Sequence, residues 1–191
     1  MMQSSFRKIF WGLLLILLEI HIVVIDILPD PLGYFLVFSG VSALEMEKNA
    51  SGDRNKVKTM ALALLFISIP TIFVQNTPNE VVSPYSIWPT YMTGLGILKL
   101  VLVFYLLKFM TRIAQEWGVG ELVKRTEQTG KVYITATLIV ILIQSFLVNL
   151  TEGWATGLSV VTIIVSLIME VTLLILVHKF GKVPPVTVQE S

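Results

Sequence analysis

The sequence contains no cysteine and is poor in charged residues. Because none of its 191 residues is cysteine, disulfides, thiolate metal sites and cysteine nucleophiles are excluded. Charged residues make up 14% of the chain, whereas soluble proteins contain about 25%. Basic and acidic residues nearly balance, with a net charge of +1, so the overall charge does not favour nucleic acid as a partner.

Apolar residues, by contrast, are abundant and occur in long blocks. Hydrophobic residues make up 54% of the chain, and the mean hydropathy is +0.79. A soluble domain of this size cannot bury so much apolar surface, because its surface is too large relative to its volume. A helix of about 20 residues crosses the bilayer core. The sequence therefore predicts an integral membrane protein and excludes a soluble enzyme or nucleic-acid binder.

The apolar blocks predict an all-α bundle of six transmembrane helices in a single domain, with a short second helix. The predicted spans are 9–28, 31–47, 57–75, 87–110, 131–150 and 154–180. Arg7 and Lys8 could begin a signal peptide, but the apolar stretch that follows is too long and lacks a cleavage site of small residues. Residues 181–191 are predicted to form a disordered cytoplasmic tail.

The second block is ambiguous, because Leu32–Leu44 is too short to cross a bilayer by itself. Asp30 followed by Pro31 is typical of an N-cap and the first residue of a helix. A helix over 31–47 would then be about 25 Å long, which makes a short span possible, with a re-entrant hairpin as the alternative. The residues predicted to form the preceding turn are Pro29, Asp30, Pro31 and Gly33.

The basic residues predict the orientation of the helices. Every Lys and Arg except Lys99 lies before the first span, between the second and third, around the connection of the fourth and fifth, or after the sixth. The other three connections contain no Lys or Arg. Since Lys and Arg concentrate in cytoplasmic loops, both termini are predicted to be cytoplasmic. The second segment must then cross, because otherwise the basic loops would lie on opposite sides.

Two local features are predicted within this arrangement. Pro70 lies inside the third span and removes a helical hydrogen bond, so we expect a kink there. The connection 111–130 is predicted to form a short interfacial helix with Ile113, Leu122 and Val123 facing lipid. Trp117 in this connection is predicted to be an anchor at the membrane surface.

Charged side chains inside the predicted spans are the candidates for function. Glu19, Lys99 and Glu170 lie at mid-depth, and Asp26 lies nearer the outside on the same face as Glu19. A charge at the centre of a bilayer costs at least about 2.5–3.5 kcal/mol, so such residues are usually paired or functional. We therefore predict that Lys99 contacts at least one of Glu19 and Glu170, the two carboxylates expected at its depth, and that an unpaired one is protonated or faces water.

Two kinds of function fit these residues. In the first, a proton, an ion or a small solute binds or passes along a polar path through Glu19, Asp26, Lys99 and Glu170. In the second, the protein is an accessory or interaction protein whose buried charges only fix helix packing. The sequence lacks common motifs of hydrolases, zinc proteases and nucleotide-binding proteins. No enzymatic activity, cofactor or metal is predicted, and the expected partners are the lipid bilayer and, for the second function, another membrane protein.

One short segment resembles a known group of proteins. Leu28, Pro29 and Asp30, followed by Gly33 and Tyr34, are similar to the L-P-D-x-x-G-Y segment of small, uncharacterised multi-span bacterial membrane proteins. Pro31 stands where that pattern has a bulky apolar residue. The resemblance implies a bacterial inner-membrane protein with a tight turn on its outer side, and it implies no activity.

Overall fold

The computed structural model describes residues 2–21, 30–44, 51–72 and 87–183. Over these ranges the regular structure is entirely helical, as the sequence predicts. The α-helices of the described residues are α1 (Met2–His21), α2 (Asp30–Ser42), α3 (Ser51–Ile67), α4 (Trp88–Glu116), α5 (Gly120–Phe146) and α6 (Glu152–Lys182). Because α6 continues to Lys182, the predicted tail of 181–191 begins too early, and its residues 184–191 lie outside the described ranges.

Four helical segments in the described ranges are long and apolar enough to cross a membrane, which indicates a membrane protein. These segments are Gly52–Ile72, Thr90–Glu116, Gly120–Phe146 and Glu152–Lys182. Helix α1 is not among these four segments, and its described part carries three charged residues, Arg7, Lys8 and Glu19. Helix α2 has 13 residues, which is about 20 Å at 1.5 Å per residue. Six crossings therefore stay a prediction, while four candidate spans are established.

The connection between α4 and α5 differs from the prediction. Helix α4 continues to Glu116 and α5 begins at Gly120, so the predicted interfacial helix over 111–130 is wrong. Gly118 adopts φ 67° and reverses the chain, a backbone conformation that favours glycine. Ile113 is 0% exposed and Leu122 is 6% exposed. Their apolar side chains face the protein core, because the two long helices extend beyond the predicted spans and keep packing there.

The helices form a closed ring in chain order. Each helix packs against the next one in the chain, and α6 returns to pack against α1. An aromatic cluster joins the start of α1, the α4–α5 turn and the end of α6. Its ring centroids lie 5.4 Å apart for Phe6 and Phe180, and 6.1 Å apart for Phe6 and Trp117. Trp117 is 9% exposed, so its predicted role as a surface anchor is wrong and it is a core residue.

Helices α1 and α2 pack closely through glycine. A Cβ atom at Gly12 would lie 2.6 Å from the carbonyl oxygen of Gly33, and one at Gly40 would lie 2.7 Å from that of Ser5. Both distances are shorter than real Cβ contacts, so only glycine allows the backbones to come this close. The earlier residue of α1 meets the later residue of α2, which makes the two helices antiparallel.

Ion pairs join the start of α3 to the end of α4. Asp53 is 5% exposed and pairs with Arg112 and, at 3.8 Å, with Lys108. Arg54 donates from Nη1 to the carbonyl oxygen of Leu44 at 2.8 Å, which ties α3 to the end of α2. Together with the aromatic cluster, these contacts place the chain segments rich in Lys and Arg at one end of the ring, called here the basic end.

Pro70 disrupts the third helix, as the sequence predicts. Helix α3 ends at Ile67, and Ile69–Ile72 continues as a short 3₁₀ turn. The hydroxyl group of Tyr91 donates to the carbonyl oxygen of Ile67, and the hydroxyl group of Thr71 donates to that of Ser68 at 2.7 Å. Neighbouring hydroxyl groups therefore satisfy carbonyls at the point where the α-helix ends.

Candidate functional site

Three polar side chains from α4, α5 and α6 meet inside the ring. Lys99 Nζ lies 2.7 Å from Glu170 Oε1, and the Tyr133 hydroxyl donates to the same oxygen at 2.8 Å. Lys99 is 8% exposed, Glu170 is 7% exposed and Tyr133 is 3% exposed. These residues are called here the polar triad. The predicted contact of Lys99 with a glutamate is confirmed, and the partner is Glu170.

The ring brings the polar triad together across its interior. In the described part of the chain α4 and α6 do not pack directly on one another, because α5 lies between them. Lys99 and Glu170 have side chains long enough to meet across this gap. Tyr133 projects from α5 to the same carboxylate. Three successive helices are therefore connected through a single carboxylate oxygen.

A second tyrosine and a threonine complete the surroundings of Tyr133. Tyr34 on α2 is 2% exposed and lies close enough to Tyr133 to interact with it electrostatically. Thr137 lies one helical turn beyond Tyr133 on α5 and is a further hydrogen-bond neighbour of its side chain. Tyr34 belongs to the segment that resembles L-P-D-x-x-G-Y, so this segment contributes a side chain to the neighbourhood of the polar triad.

The polar triad carries no net formal charge when both ionisable groups are charged. Burying two charges costs desolvation energy, which their attraction repays only with good geometry and further hydrogen bonds. The short Lys99–Glu170 distance and the hydrogen bond from Tyr133 meet both conditions. A ligand that brings its own charge, or a proton taken up by Glu170, would break this balance. The site can therefore respond chemically to a change of charge.

The interior differs on the two sides of the polar triad. Toward the basic end, α4 and α6 contribute fully or almost fully buried apolar residues: Leu102, Leu106, Phe109, Met110, Leu173, Leu176, Val177 and Phe180. Toward the opposite end, α6 carries Ser159, Thr162 and Ser166 on the turns before Glu170. Thr162 is 2% exposed, and its hydroxyl donates to the carbonyl of Ser159 at 2.9 Å. The polar triad thus lies where a polar stripe meets a tightly packed apolar core.

The remaining predicted site residues fall into two groups. Asp26 and Pro29 lie outside the described ranges, as does the side chain of Glu19. Asp30 and Pro31 form the start of α2, so this helix begins one residue before the predicted first position. The capping hydrogen bonds expected from Asp30 stay a prediction. Gly33 is not only a turn residue, because it forms part of the close α1–α2 contact.

Sequence reasoning missed Tyr133 and Tyr34. A tyrosine in a membrane protein is usually an anchor at the membrane surface. Tyr133, however, lies within the predicted span 131–150. A buried phenol hydroxyl requires a hydrogen-bond partner, so a tyrosine inside a span with buried charges was a usable signal.

Comparison with known proteins adds no relative. No family model matches the chain, and no curated protein or solved structure matches it significantly. Over the described ranges, no group of three or more His, Asp or Glu side chains is placed to hold a metal ion. The function is therefore argued from the polar triad and its position in the ring.

Proposed function

We propose that this protein is a transport-like membrane protein that binds or passes a proton, an ion or a small polar solute at the polar triad. The observation that supports this most is the buried Lys99–Glu170 pair, at 2.7 Å, in the interior of the ring. Ionisable residues inside membrane-spanning segments are costly, and they commonly mark solute pathways or proton relays. Their position between a polar stripe and an apolar core fits a binding site with access from one end.

The proposal includes an orientation. We place the basic end in the cytoplasm, because Lys and Arg concentrate in cytoplasmic loops. Both termini are then cytoplasmic, and α1 and α2 cross as an antiparallel pair to complete six spans in a bacterial inner membrane. The solute enters from the outer side, along the face of α6 that carries Thr162 and Ser166. The apolar core between the polar triad and the basic end closes the path to the cytoplasm.

The chemistry follows from the two charged groups. An anion would compete with Glu170 for the ammonium group of Lys99, and a cation would compete with Lys99 for the carboxylate. A proton would neutralise Glu170 and weaken its attraction for Lys99. Each of these events loosens the contact between α4 and α6, which is the type of two-state change that alternating access requires.

Flux into proteoliposomes tests this proposal. The full-length protein is reconstituted into liposomes, and an entrapped pH indicator reports proton flux. Sodium, potassium and chloride fluxes are measured separately. Uptake of a panel of radiolabelled amino acids follows. The key variant is the double substitution Lys99→Met with Glu170→Gln, which removes both charges of the pair. Its matched control is Arg125→Gln with Glu121→Gln, which removes a single ion pair at the basic end. Flux that the first variant loses and the second retains supports the proposal, whereas equal flux in the first variant and the native protein contradicts it.

The second function is that of an accessory or interaction protein. The observation that favours it is the closed arrangement of the polar triad, in which Lys99 and Tyr133 both contact Glu170 Oε1. Such an arrangement can serve packing alone. A folded protein that neither binds nor moves any of the probes, and that co-purifies with another membrane protein from its native host, would favour this function.

A further inference from the structure

A groove runs along the outer surface of the ring between α5 and α6. Its upper part lies at the level of Val132 and Met169, and its middle part is lined by Thr129 and Thr172. Its lower part reaches Arg125 and Lys179. The two ends are about 10 Å apart along the helix axis, because Arg125 and Val132 are seven residues apart on a helix that rises 1.5 Å per residue. The groove thus leads from the basic side chains, past Gln128 and the two threonines, to the apolar side chains of Val132 and Met169.

The lower end of the groove carries an excess of positive charge. Arg125, Lys179 and Lys182 line it together with Glu121, whose carboxylate lies 2.6 Å from Arg125 Nη2. Lys179 and Lys182 form no ion pair with any other residue of the described ranges. One acidic and three basic side chains leave this end positively charged, and two of the three cations are open to an external anion.

Exposed apolar side chains along the groove are suited to an acyl chain. Val132, in the upper part, is 56% exposed, and Ile175, between Thr172 and Lys179 in the lower part, is 53% exposed. Thr129 and Thr172 lie between Val132 and the basic end. The hydroxyl of Thr172 donates to the carbonyl of Ile168 at 2.7 Å. Its donor is therefore satisfied within its own helix and needs no hydrogen bond from water.

We infer that this groove binds an anionic phospholipid of the leaflet next to the basic end. The phosphate lies between Arg125 and Lys179, and an acyl chain follows the groove past Val132. Two features support this occupant. The positive charge at the lower end is complementary to a phosphate. From the basic end, the groove runs along α5 and α6 past Ile175 and Val132, so an acyl chain can lie parallel to the helices. Basic pockets between transmembrane helices on the cytoplasmic side are typical sites for anionic headgroups.

Lipid titration of the full-length protein in detergent, followed by native mass spectrometry, tests this inference. The lipids are phosphatidylglycerol, cardiolipin and phosphatidylcholine. The groove variant is Arg125→Gln with Lys179→Gln, and the control is Lys56→Gln with Lys124→Gln, which removes the same charge from exposed residues outside the groove. We expect the groove variant to bind the anionic lipids about thirtyfold more weakly, since each basic side chain near an anionic lipid contributes about fivefold. The control should bind them as the native protein does.

A second variant tests the apolar part of the groove independently. Val132→Trp fills the upper groove without changing charge. We expect it to weaken phosphatidylglycerol binding and to leave the unfolding temperature of the protein unchanged. Inorganic phosphate at the same concentrations should not compete with the lipid. The inference is overturned if the groove and control variants lose binding equally, if Val132→Trp binds as well as the native protein, or if phosphate alone displaces the lipid.

Discussion

At the scale of single residues, Lys99 has the most demanding position in the described structure. Its ammonium group is buried, and the carboxylate of Glu170 contacts it at 2.7 Å. The depth of Lys99 in the sequence was enough to predict a carboxylate partner. It was not enough to choose between Glu19 and Glu170, because sequence gives the depth of a residue in its helix but not the helix that lies opposite.

Substitutions at Lys99 and Glu170 should not be additive. Lys99→Met leaves the Glu170 carboxylate buried without its partner, which we expect to cost about 3–5 kcal/mol. Adding Glu170→Gln removes the unpaired charge and should recover most of that loss. Thermal unfolding in detergent, followed by tryptophan fluorescence, measures both effects. A double variant as unstable as Lys99→Met alone would contradict the pairing.

Tyr133→Phe tests the hydrogen bond to the same carboxylate. The substitution keeps the ring and removes the donor that lies 2.8 Å from Glu170 Oε1. We expect a loss of about 0.5–2 kcal/mol, the range of side-chain hydrogen bonds between membrane helices. Tyr105→Phe is the control, because the ring of Tyr105 faces Lys56 Nζ at 5.6 Å and stays intact in the variant. Equal stability of Tyr133→Phe and the native protein would show that the hydrogen bond contributes little.

At the scale of helices, the lengths differ from the sequence prediction where apolar residues continue beyond the bilayer-sized block. The sequence marks Ile113 and Leu122 as apolar, but an apolar side chain is equally satisfied by lipid and by a neighbouring helix. Only the packing of α4 and α5 shows that both residues face protein. The end of α3 at Pro70, in contrast, follows from a local chemical property, the missing N–H group, and was predictable.

The α1–α2 contact gives a test at the same scale. Gly40→Ala places a methyl group 2.7 Å from the backbone oxygen of Ser5, so the helices must separate and we expect a loss of about 1–3 kcal/mol. Gly94→Ala is the matched control, since no atom lies within 4 Å of a Cβ atom built there. Because alanine favours helix more than glycine does, the control should be neutral or slightly stabilising. The unfolding temperatures of the two variants are measured under the same conditions. Equal unfolding temperatures would contradict the close contact.

At the scale of the whole molecule, the contacts between distant segments agree with the distribution of charge. Phe6, Trp117 and Phe180 meet, and Asp53 pairs with Arg112 at the same end. The segments rich in Lys and Arg therefore share one end of the ring. This arrangement is required if successive helices run in opposite directions.

Reporter fusions test the proposed topology. Fusions at Gly52 and Gly118, each to a reporter active only in the cytoplasm and to one active only outside, should both report a cytoplasmic location. The same pair of reporters inserted after Asn79, in the connection without Lys or Arg, should report the outside. An external location for Gly52 would mean that the second segment does not span the membrane.

The sequence alone determined the properties that the bilayer imposes as a solvent. Its thickness sets the length of apolar blocks, its lack of water requires helices, and the cost of charge makes Lys99 and Glu170 conspicuous. The folded structure was needed to see that α6 closes the ring against α1, that Gly12 and Gly33 meet, and that Tyr133 joins Lys99 at Glu170. The physical reason is that lipid and protein are equally apolar surroundings, so the choice of neighbours depends on the shapes of helix surfaces, which a sequence of residue types does not specify.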